Sequence, residues 1–214
     1  MKKLFIVSLL ISTLIISCSD KKPETVVKKD STEKMTVKKD TAVTVKKEMT
    51  TKTGKQFVII ETKPSFSVSD YMITGVGFEN SKDTIKYSLK NPMSTAMLAD
   101  LDKNGFDEVY VITKSTGSGS FEDIIAIASF NDKTFGEIIV EEMPADVGKN
   151  EKFGGYMGHD SIYINDNKLI REFPVYKNSD QNSASTGGRR KIIYSLKPNQ
   201  ASYELAITGV ENVK

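Results

Sequence analysis

The sequence predicts an all-β protein, an antiparallel β-sandwich or a partly closed barrel, that follows a disordered N-terminal tether. From residue 57 onward, short runs rich in valine, isoleucine, tyrosine and phenylalanine alternate with turn residues. No stretch repeats its apolar residues with a sustained helical period. Short strands joined by short turns are typical of sandwiches and barrels. Residues 19–56, in contrast, are rich in lysine and threonine and contain no aromatic residue.

Ten runs have the composition of strands. In chain order they are "FVIIE" (57–61), "YMITGVGF" (71–78), "TIKYSL" (84–89), "EVYVIT" (108–113), "DIIAIASF" (123–130), "GEIIVEE" (136–142), "DSIYIN" (160–165), "KLIREFPVY" (168–176), "KIIYSL" (191–196) and "SYELAITGV" (202–210). Asn165, Asp166 and Asn167 separate two of these runs, which predicts a tight hairpin there. Residues 57–214 are enough for one domain with its own core.

The N-terminus has the features of a lipoprotein signal peptide. Lys2 and Lys3 precede the apolar residues 4–16, a stretch shorter than the roughly 20 residues of a membrane-spanning helix. Residues 15–18, Ile-Ile-Ser-Cys, resemble the lipobox of bacterial lipoproteins, in which the cysteine is lipidated and becomes the new N-terminus. The sequence therefore predicts a signal peptide over 1–17 and lipidation of Cys18. An ordinary signal peptide with an incidental cysteine is the alternative.

Cys18 is the only cysteine of the chain. A lipidated Cys18 leaves the mature protein with no disulfide and no thiol catalyst. Its acyl chains would hold the protein at a membrane without a spanning helix. We therefore expect a protein anchored in the bacterial cell envelope, on the periplasmic or the cell-surface face of the outer membrane.

The tether contains a repeated motif. Val-Lys-Lys-Asp at 27–30 recurs at 37–40, and a looser copy, Val-Lys-Lys-Glu, lies at 45–48. A segment this polar cannot bury enough apolar surface to offset its chain entropy, which predicts disorder over 18–56. Residues 19–56 hold 11 lysines against six acidic residues, a net charge of +5. Such a tether can lie on anionic lipid headgroups or serve only as a solvated spacer.

Residues 57–214 are acidic, in contrast to the tether. They hold 17 lysines and arginines against 22 acidic residues, a net charge of −5. This balance argues against a nucleic-acid partner, which requires clustered basic residues. It suits a basic protein partner, because opposite charges steer association.

Residues 100–108 have the spacing of a calcium-binding loop. Oxygen-bearing side chains stand at its first, third, fifth and ninth positions, and glycine stands at the sixth, where the backbone turns sharply. The spacing is also similar to that of the cation loops of FG-GAP-type β-repeats. Against calcium, Val111 stands where an EF-hand has its last glutamate, and the same residues can form a metal-free turn. Both interpretations, the calcium site and the metal-free turn, stay open. The calcium ligands would be Asp100, Asp102, Asn104 and Glu108 with the Phe106 carbonyl. No other cofactor is expected.

The sequence offers little support for an enzyme. His159 is the only histidine, and a triad of Ser118, His159 and Asp160 would need a nucleophile elbow between a strand and a helix, which is not evident. A glycine-rich phosphate loop before a helix, a zinc-ligand cluster and a cofactor fingerprint are also not evident. The sequence therefore predicts a binding module, not an enzyme.

Three blocks of the sequence resemble a known family. They are "ADLDKNGFDEVYVITKSTGSGSFED", "GYMGHDSIYINDNKLIREFPVY" and "DQNSASTGGRRKIIYSL". Together they resemble the periplasmic inhibitors of i-type (invertebrate) lysozymes, small secreted or lipid-anchored β-proteins of bacteria. The resemblance covers residues 95–196 and leaves 57–94 uncovered.

The resemblance implies a role for the segment between two of the predicted strands. In that family a loop with a Ser-Gly-x-Tyr motif enters the catalytic cleft of the lysozyme, and the matching residues here are Ser118, Gly119, Ser120 and Phe121. Ser118 would donate to one of the two catalytic carboxylates. Gly117 and Gly119 would allow close backbone approach. Phe121, which replaces the family's tyrosine, would fill a sugar subsite.

A second segment, Thr186-Gly187-Gly188 followed by Arg189 and Arg190, is predicted to form another loop. Its arginines would assist binding near a carboxylate-lined cleft, or would only form a solvated basic turn. The resemblance thus implies a lipid-anchored inhibitor of lysozyme that acts through the 115–121 loop, with an i-type lysozyme as the expected target. The alternative is a calcium-dependent adhesion or carbohydrate-binding module of the cell envelope without inhibitory activity. Exposed edge strands also leave a homodimer open.

Overall fold

The computed structural model describes residues 42–144, 152–181, 183–200 and 202–213, and the regular secondary structure in these ranges consists of twelve β-strands. Four of them pair in chain order as an antiparallel sheet: β1 (Val43–Thr50), β2 (Gln56–Ser65), β3 (Val68–Val76) and β4 (Ile85–Lys90). The other eight are β5 (Met93–Ala99), β6 (Glu108–Lys114), β7 (Glu122–Phe130), β8 (Thr134–Val140), β9 (Ser161–Asn165), β10 (Lys168–Pro174), β11 (Arg189–Asn199) and β12 (Ser202–Val213). The all-β prediction is confirmed.

The eight-stranded sheet has the order β5-β6-β7-β8-β12-β11-β10-β9 and curls into a nearly closed barrel. Its pairs are antiparallel except β8 with β12, which run parallel. Side chains join the two halves of the sheet across the curl. The amide of Asn167 donates to the carbonyl of Asp100 (3.1 Å), and the backbone N–H of Ile162 in β9 donates to the carboxylate of Glu122 in β7 (2.8 Å).

The core lies on both faces of strands β5–β8. Inside the curl, large apolar side chains of β6 and β7 pack against those of β9–β12, among them Tyr110, Ile112, Leu169, Phe173, Tyr194 and Leu205. On the opposite face, the four-stranded sheet packs its own apolar side chains against β6 and β7, among them Phe57, Ile59, Tyr71, Ile73, Val109 and Ile127. Because β6 is covered on both faces, six consecutive residues of it are buried.

The hairpin predicted at Asn165-Asp166-Asn167 is confirmed. Lys168 in β10 pairs with Asn165 in β9, so that Asp166 and Asn167 form a two-residue turn. Both turn residues have positive φ angles, 48° and 56°. This is the backbone that a type I′ hairpin turn requires.

Two strands lie outside the ten predicted runs. β1 falls within the segment predicted to be disordered, and that prediction is wrong for residues 43–56. As the outer strand of its sheet, β1 satisfies its backbone through β2, buries part of Met49 against the core and lets Lys47 donate to the carbonyl of Ala96 (3.1 Å). β5, "MSTAMLA", escaped prediction because it contains few of the β-branched and aromatic residues that favour strands.

The predicted signal peptide (1–17), the lipidation site Cys18 and the tether up to residue 41 lie outside the described residues. In the part of the chain that is described, none of the secondary structure is a helix of the length and apolar character needed to cross a membrane.

Candidate functional site

The 115–121 loop joins β6 to β7 and is closed by its own hydrogen bonds. The backbone N–H of Ser115 donates to the carbonyl of Phe121 (2.8 Å), and the N–H of Phe121 donates to Oγ of Ser115 (2.9 Å). Between these ends, the N–H of Ser120 donates to the carbonyl of Gly117 (3.0 Å), and Ser120 has a positive φ of 45°. The loop therefore has a defined conformation, with Gly117 and Ser118 exposed at its tip.

The loop docks on the segment that leads into β9. The backbone N–H of His159 donates to the carbonyl of Gly119 (2.5 Å). Gly158 has a φ of +83°, and a Cβ at this position would lie 2.2 Å from the same carbonyl oxygen. A Cβ on Gly119 would lie 2.3 Å from the ring of Phe121. Glycine is required at both positions, because any side chain would push the two segments or the ring apart.

A row of aromatic rings holds Phe121 at the surface. Phe121 contacts Tyr156 edge-on, with 5.7 Å between ring centroids, and Tyr156 contacts the fully buried Phe173 in the same way at 4.9 Å. Edge-to-face contacts of this kind are favourable beyond the area they bury. The exposed fraction of Phe121 is 43%. The ring thus packs against Tyr156 and the two glycines, and somewhat less than half of it is available to a partner.

Buried charged residues support the base of the loop. The carboxylate of Asp160 accepts hydrogen bonds from the N–H of Glu122 (3.1 Å) and from the hydroxyl of Tyr156 (2.9 Å). The guanidinium of Arg171 donates to the carbonyl of Glu122 (2.9 Å), and its Nε lies 3.6 Å from Asp160. Burial and the nearby Asp160 carboxylate raise the pKa of Tyr156 well above its ordinary value, so its hydroxyl remains a donor.

The carboxylate of Glu122 extends this support to two further strands. It accepts from Nζ of Lys114 at the end of β6 (3.2 Å) and from the N–H of Ile162 in β9 (2.8 Å). No motif in the sequence predicts a role for Glu122, Tyr156 or Arg171. The available signal was a charged residue next to or inside an apolar strand run, as with Arg171 in "KLIREFPVY". Such residues are seldom buried without partners.

A cleft of about 410 Å³ opens beside Phe121. Its walls include the ring of Tyr156 and, from other elements, Lys90, Asp123 and Glu141. Apolar and charged groups of both signs therefore lie next to the exposed ring, as expected of a surface that receives protein side chains.

Arg189 and Arg190, predicted to belong to a second loop, are the first two residues of β11. Nε of Arg189 lies 2.5 Å from the carboxylate of Glu172. Arg190 donates from Nε to the side-chain oxygen of Asn212 (3.0 Å) and from its guanidinium to the carbonyls of Lys152 and Gly154. The prediction of a loop is wrong for these two residues, and their assistance to binding stays a prediction.

The 100–108 loop brings three of its four predicted ligand side chains together. One carboxylate oxygen each from Asp100, Asp102 and Glu108 lies within 4.8 Å of the others. Asp100 accepts from the backbone N–H groups of Asn104 (2.9 Å) and Gly105 (3.0 Å). The side-chain oxygen of Asn104 instead accepts from the N–H of Phe106 (2.8 Å), which is the bonding of a turn.

One contact in this cluster disfavours a bound cation. Nζ of Lys52 donates to Asp100 at 2.5 Å, so a positive charge already lies against that carboxylate. Burial, together with the charges of Asp102 and Asp100, raises the pKa of Glu108 to about 8. Without a cation beside it, Glu108 therefore favours its protonated form near neutral pH. These contacts favour the metal-free turn, and the calcium reading stays a prediction.

Comparisons of the chain with models of known protein families, with curated proteins and with solved structures found no match. The class of protein is therefore defined by the fold and the site: an all-β domain that presents a closed, firmly supported loop. The resemblance to lysozyme inhibitors rests on the sequence blocks alone.

Proposed function

We propose that this protein is a lipid-anchored inhibitor of lysozyme in the bacterial cell envelope, and that the 115–121 loop blocks the catalytic cleft of an i-type enzyme. The observation that carries the proposal is the fixed conformation of the loop together with its exposed side chains. Ser118 and Phe121 are exposed, while Gly119 between them is fixed through its carbonyl to His159. A slack glycine–serine hairpin would lack this fixed geometry.

The rigidity of the loop suits inhibition. A flexible loop loses conformational freedom on binding, and a loop already held in its bound shape avoids much of that loss. Here the shape is held by the Ser115–Phe121 bonds, by the contact with Gly158 and by the charged residues under Glu122. The free energy of contact with the enzyme is then retained as affinity.

Two side chains would make the inhibitory contacts. The hydroxyl of Ser118 would donate to a catalytic carboxylate, a charge-assisted bond worth about 1.5–3 kcal/mol. Phe121 would bury its exposed edge in a sugar subsite next to those carboxylates. Neither contact requires chemistry from this protein, so the proposed inhibitor acts by occupying the cleft.

The close carboxylates of Asp100, Asp102 and Glu108 are the observation behind a second candidate, a calcium-dependent adhesion or carbohydrate-binding module. The ammonium of Lys52, which already lies against Asp100, weighs against it. This candidate predicts a dependence of binding on calcium, which the inhibitor does not require.

A lysis assay tests the proposal. Purified protein is added to i-type, c-type and g-type lysozymes acting on bacterial cell walls, beside a Ser118→Ala/Phe121→Ala variant. Val76→Ala is the matched control, because Val76 is also exposed (49%) but ends β3 at the opposite end of the domain from the loop. We expect inhibition by the parent and the control and its loss in the double variant. A parent protein that inhibits none of the three lysozymes would exclude the proposal.

A further inference from the structure

Two exposed apolar side chains lie outside the site described above. Phe66 is 86% exposed and Leu89 is 80% exposed, the highest fractions among the large apolar residues that the structure describes. Phe66 lies in the two-residue turn between β2 and β3, and Leu89 is the penultimate residue of β4. We call this pair the Phe66–Leu89 patch. Single exposed apolar residues are common on protein surfaces, so exposure alone assigns no role to the patch.

The backbone of Leu89 adds a second observation. Its φ is +55°, a left-handed conformation that large side chains rarely adopt. The N–H of Leu89 donates to the carboxylate of Asp70 (3.0 Å), and the pairing of β3 with β4 shifts register beside it. The fold thus holds an apolar side chain outward in an unfavourable backbone conformation. Such conformations concentrate at functional sites.

The patch lies at the same end of the domain as the 115–121 loop. Lys90, next to Leu89, pairs with Ser69 near the start of β3, and Met93 at the start of β5 pairs with Thr113 near the end of β6. The 115–121 loop follows β6 directly. The β2–β3 turn, the β4–β5 connection and the loop therefore share one end.

Direct contacts join the β4–β5 connection, which follows Leu89, to the candidate site. The backbone N–H of Lys114 donates to the carbonyl of Pro92 (2.8 Å), and the amide of Asn91 donates to the carboxylate of Asp123 (3.2 Å). Lys90 is itself a wall of the cleft beside Phe121. A partner that covers Phe121 and this cleft therefore reaches the β4–β5 connection.

The 115–121 loop is too small to form a stable protein–protein interface by itself. A stable protein–protein interface buries about 800 Å² on each partner and involves roughly 20–30 residues of each. The 115–121 loop has seven residues, and six of them are serine, threonine or glycine. Most of the interface must come from neighbouring surface. Binding energy concentrates in large side chains near the centre of an interface, and the loop offers only Phe121.

We propose that the glycosidase whose cleft receives the 115–121 loop also packs its surface beside that cleft against Phe66 and Leu89. This inference rests on the proposed function and extends its contact surface to the four-stranded sheet. The end of the domain then binds one folded protein through two anchors, the loop tip and the patch, with Lys90 and Asp123 between them. The chief competing occupant is an anionic bilayer, since lysines 63 and 90 are close to the patch in sequence.

The test uses the full chain with Cys18→Ser, which cannot be lipidated. Phe66→Ser, Leu89→Gly and their combination are compared with the parent in the lysis assay, with Val76→Ser as the control. Leu89→Gly removes the side chain and suits the positive φ, so it does not threaten the fold. We expect the double variant to need at least roughly tenfold more protein for half-inhibition, and the control to stay within about twofold of the parent. Melting temperatures are measured in parallel.

The outcomes distinguish the role proposed for the Phe66–Leu89 patch from the proposed inhibition of lysozyme. If the parent inhibits a lysozyme and the double variant inhibits it equally, the role of the patch is excluded and the proposed function stands. If the parent inhibits no lysozyme, both fail. Co-sedimentation of the parent with vesicles containing phosphatidylglycerol, lost in the double variant while inhibition is unchanged, would assign the patch to a bilayer and overturn the inference.

Discussion

Gly158 lies against the carbonyl of Gly119 so closely that a Cβ at residue 158 would stand 2.2 Å from the carbonyl oxygen. The next residue, His159, donates its backbone N–H to that same oxygen. One carbonyl of the β6–β7 loop is therefore enclosed by the segment that precedes β9. This contact fixes the direction of the loop tip, and it depends on glycine at residue 158, which lies outside the loop.

Gly158→Ala is expected to lower both the inhibition of lysozyme and the free energy of unfolding. The added Cβ must displace the 115–121 loop, because the nearest atom is backbone. Alanine at φ +83° also costs about 1–2 kcal/mol of stability by itself. Gly54→Ala is the matched control, since Gly54 has a φ of +87° with open space around it.

Chemical unfolding and the lysis assay are measured on both glycine variants. Gly54→Ala should lose only the free energy due to its positive φ, less than Gly158→Ala loses, and should keep full inhibition. Equal inhibition by the two variants would show that the loop does not depend on the Gly158 contact.

The strands that sequence predicts well are those whose own residues favour the pleated conformation. "EVYVIT" and "DIIAIASF" are rich in β-branched side chains and form β6 and β7 almost to the residue. Val45-Lys46-Lys47-Glu48 forms part of β1, although the nearly identical motifs at 27–30 and 37–40 gave the same prediction of disorder. β1 is stabilised by its pairing with β2, and no local pattern of residues predicts that pairing.

The residues of the candidate site were also predicted only in part from the sequence. The glycines and serines of the 115–121 loop and the block around His159 were evident from the sequence, but their mutual contact was not. The positions of Glu122 and Arg171 under the loop result from the curl of the eight-stranded sheet, which brings β7 next to β9 and β10. Sequence spacing carries no information about that closure, because it depends on the parallel pairing of β8 with β12.

Asp160→Asn is expected to lower the free energy of unfolding by about 3–5 kcal/mol, the usual cost of breaking a buried ion pair at one partner. Asp160 is buried and lies beside the buried Arg171, whose Nε has no hydrogen-bond acceptor among the described residues. The asparagine keeps the shape of the side chain but removes the charge that compensates the guanidinium. Urea unfolding measures the loss.

Glu48→Gln is the control for the buried pair. Glu48 pairs with Lys46 on the exposed side of β1, with both side chains more than half exposed. Breaking this pair should cost at most about 1 kcal/mol. A loss of the same size in the two variants would contradict a structural role for the charges under the loop.

Glu108 should make the protein less stable as pH rises from about 5 to 8. Burial raises the pKa of Glu108 from its ordinary value of 4.5 to about 8, so the folded protein keeps a proton that the unfolded chain releases. Unfolding is therefore favoured by rising pH, with a slope of at most about 1.4 kcal/mol per pH unit for one proton. The free energy of unfolding is measured in EDTA for the parent and for Glu108→Gln across this pH range. As pH rises, the variant should become more stable relative to the parent, because glutamine cannot release a proton. A difference that stays constant over this range would contradict the raised pKa.

Calcium should leave the melting temperature unchanged. The backbone N–H groups of Asn104 and Gly105 already occupy Asp100, and Lys52 supplies a positive charge. Melting curves in millimolar calcium and in EDTA test this, since extracellular calcium modules bind with dissociation constants of about 0.1–1 mM. A rise of several degrees with calcium, absent in Asp102→Asn, would instead establish a calcium site and favour the adhesion module.

Phe121→Tyr is expected to strengthen inhibition, because it restores the tyrosine implied by the family resemblance at a ring that is 43% exposed. The added hydroxyl can make a hydrogen bond in a sugar subsite, worth about 0.5–1.5 kcal/mol, or roughly two- to tenfold in affinity. Phe121→Ala should lose at least about 2 kcal/mol, close to thirtyfold, if the ring anchors the interface. Inhibition constants for the three proteins against one lysozyme provide the test. Phe121→Tyr should leave the melting temperature nearly unchanged, whereas Phe121→Ala also loses the packing of the ring against Tyr156 and Gly119, so melting temperatures are measured for all three proteins. If Phe121→Ala inhibits as well as the parent, the ring does not enter the cleft and Ser118 alone must account for the block.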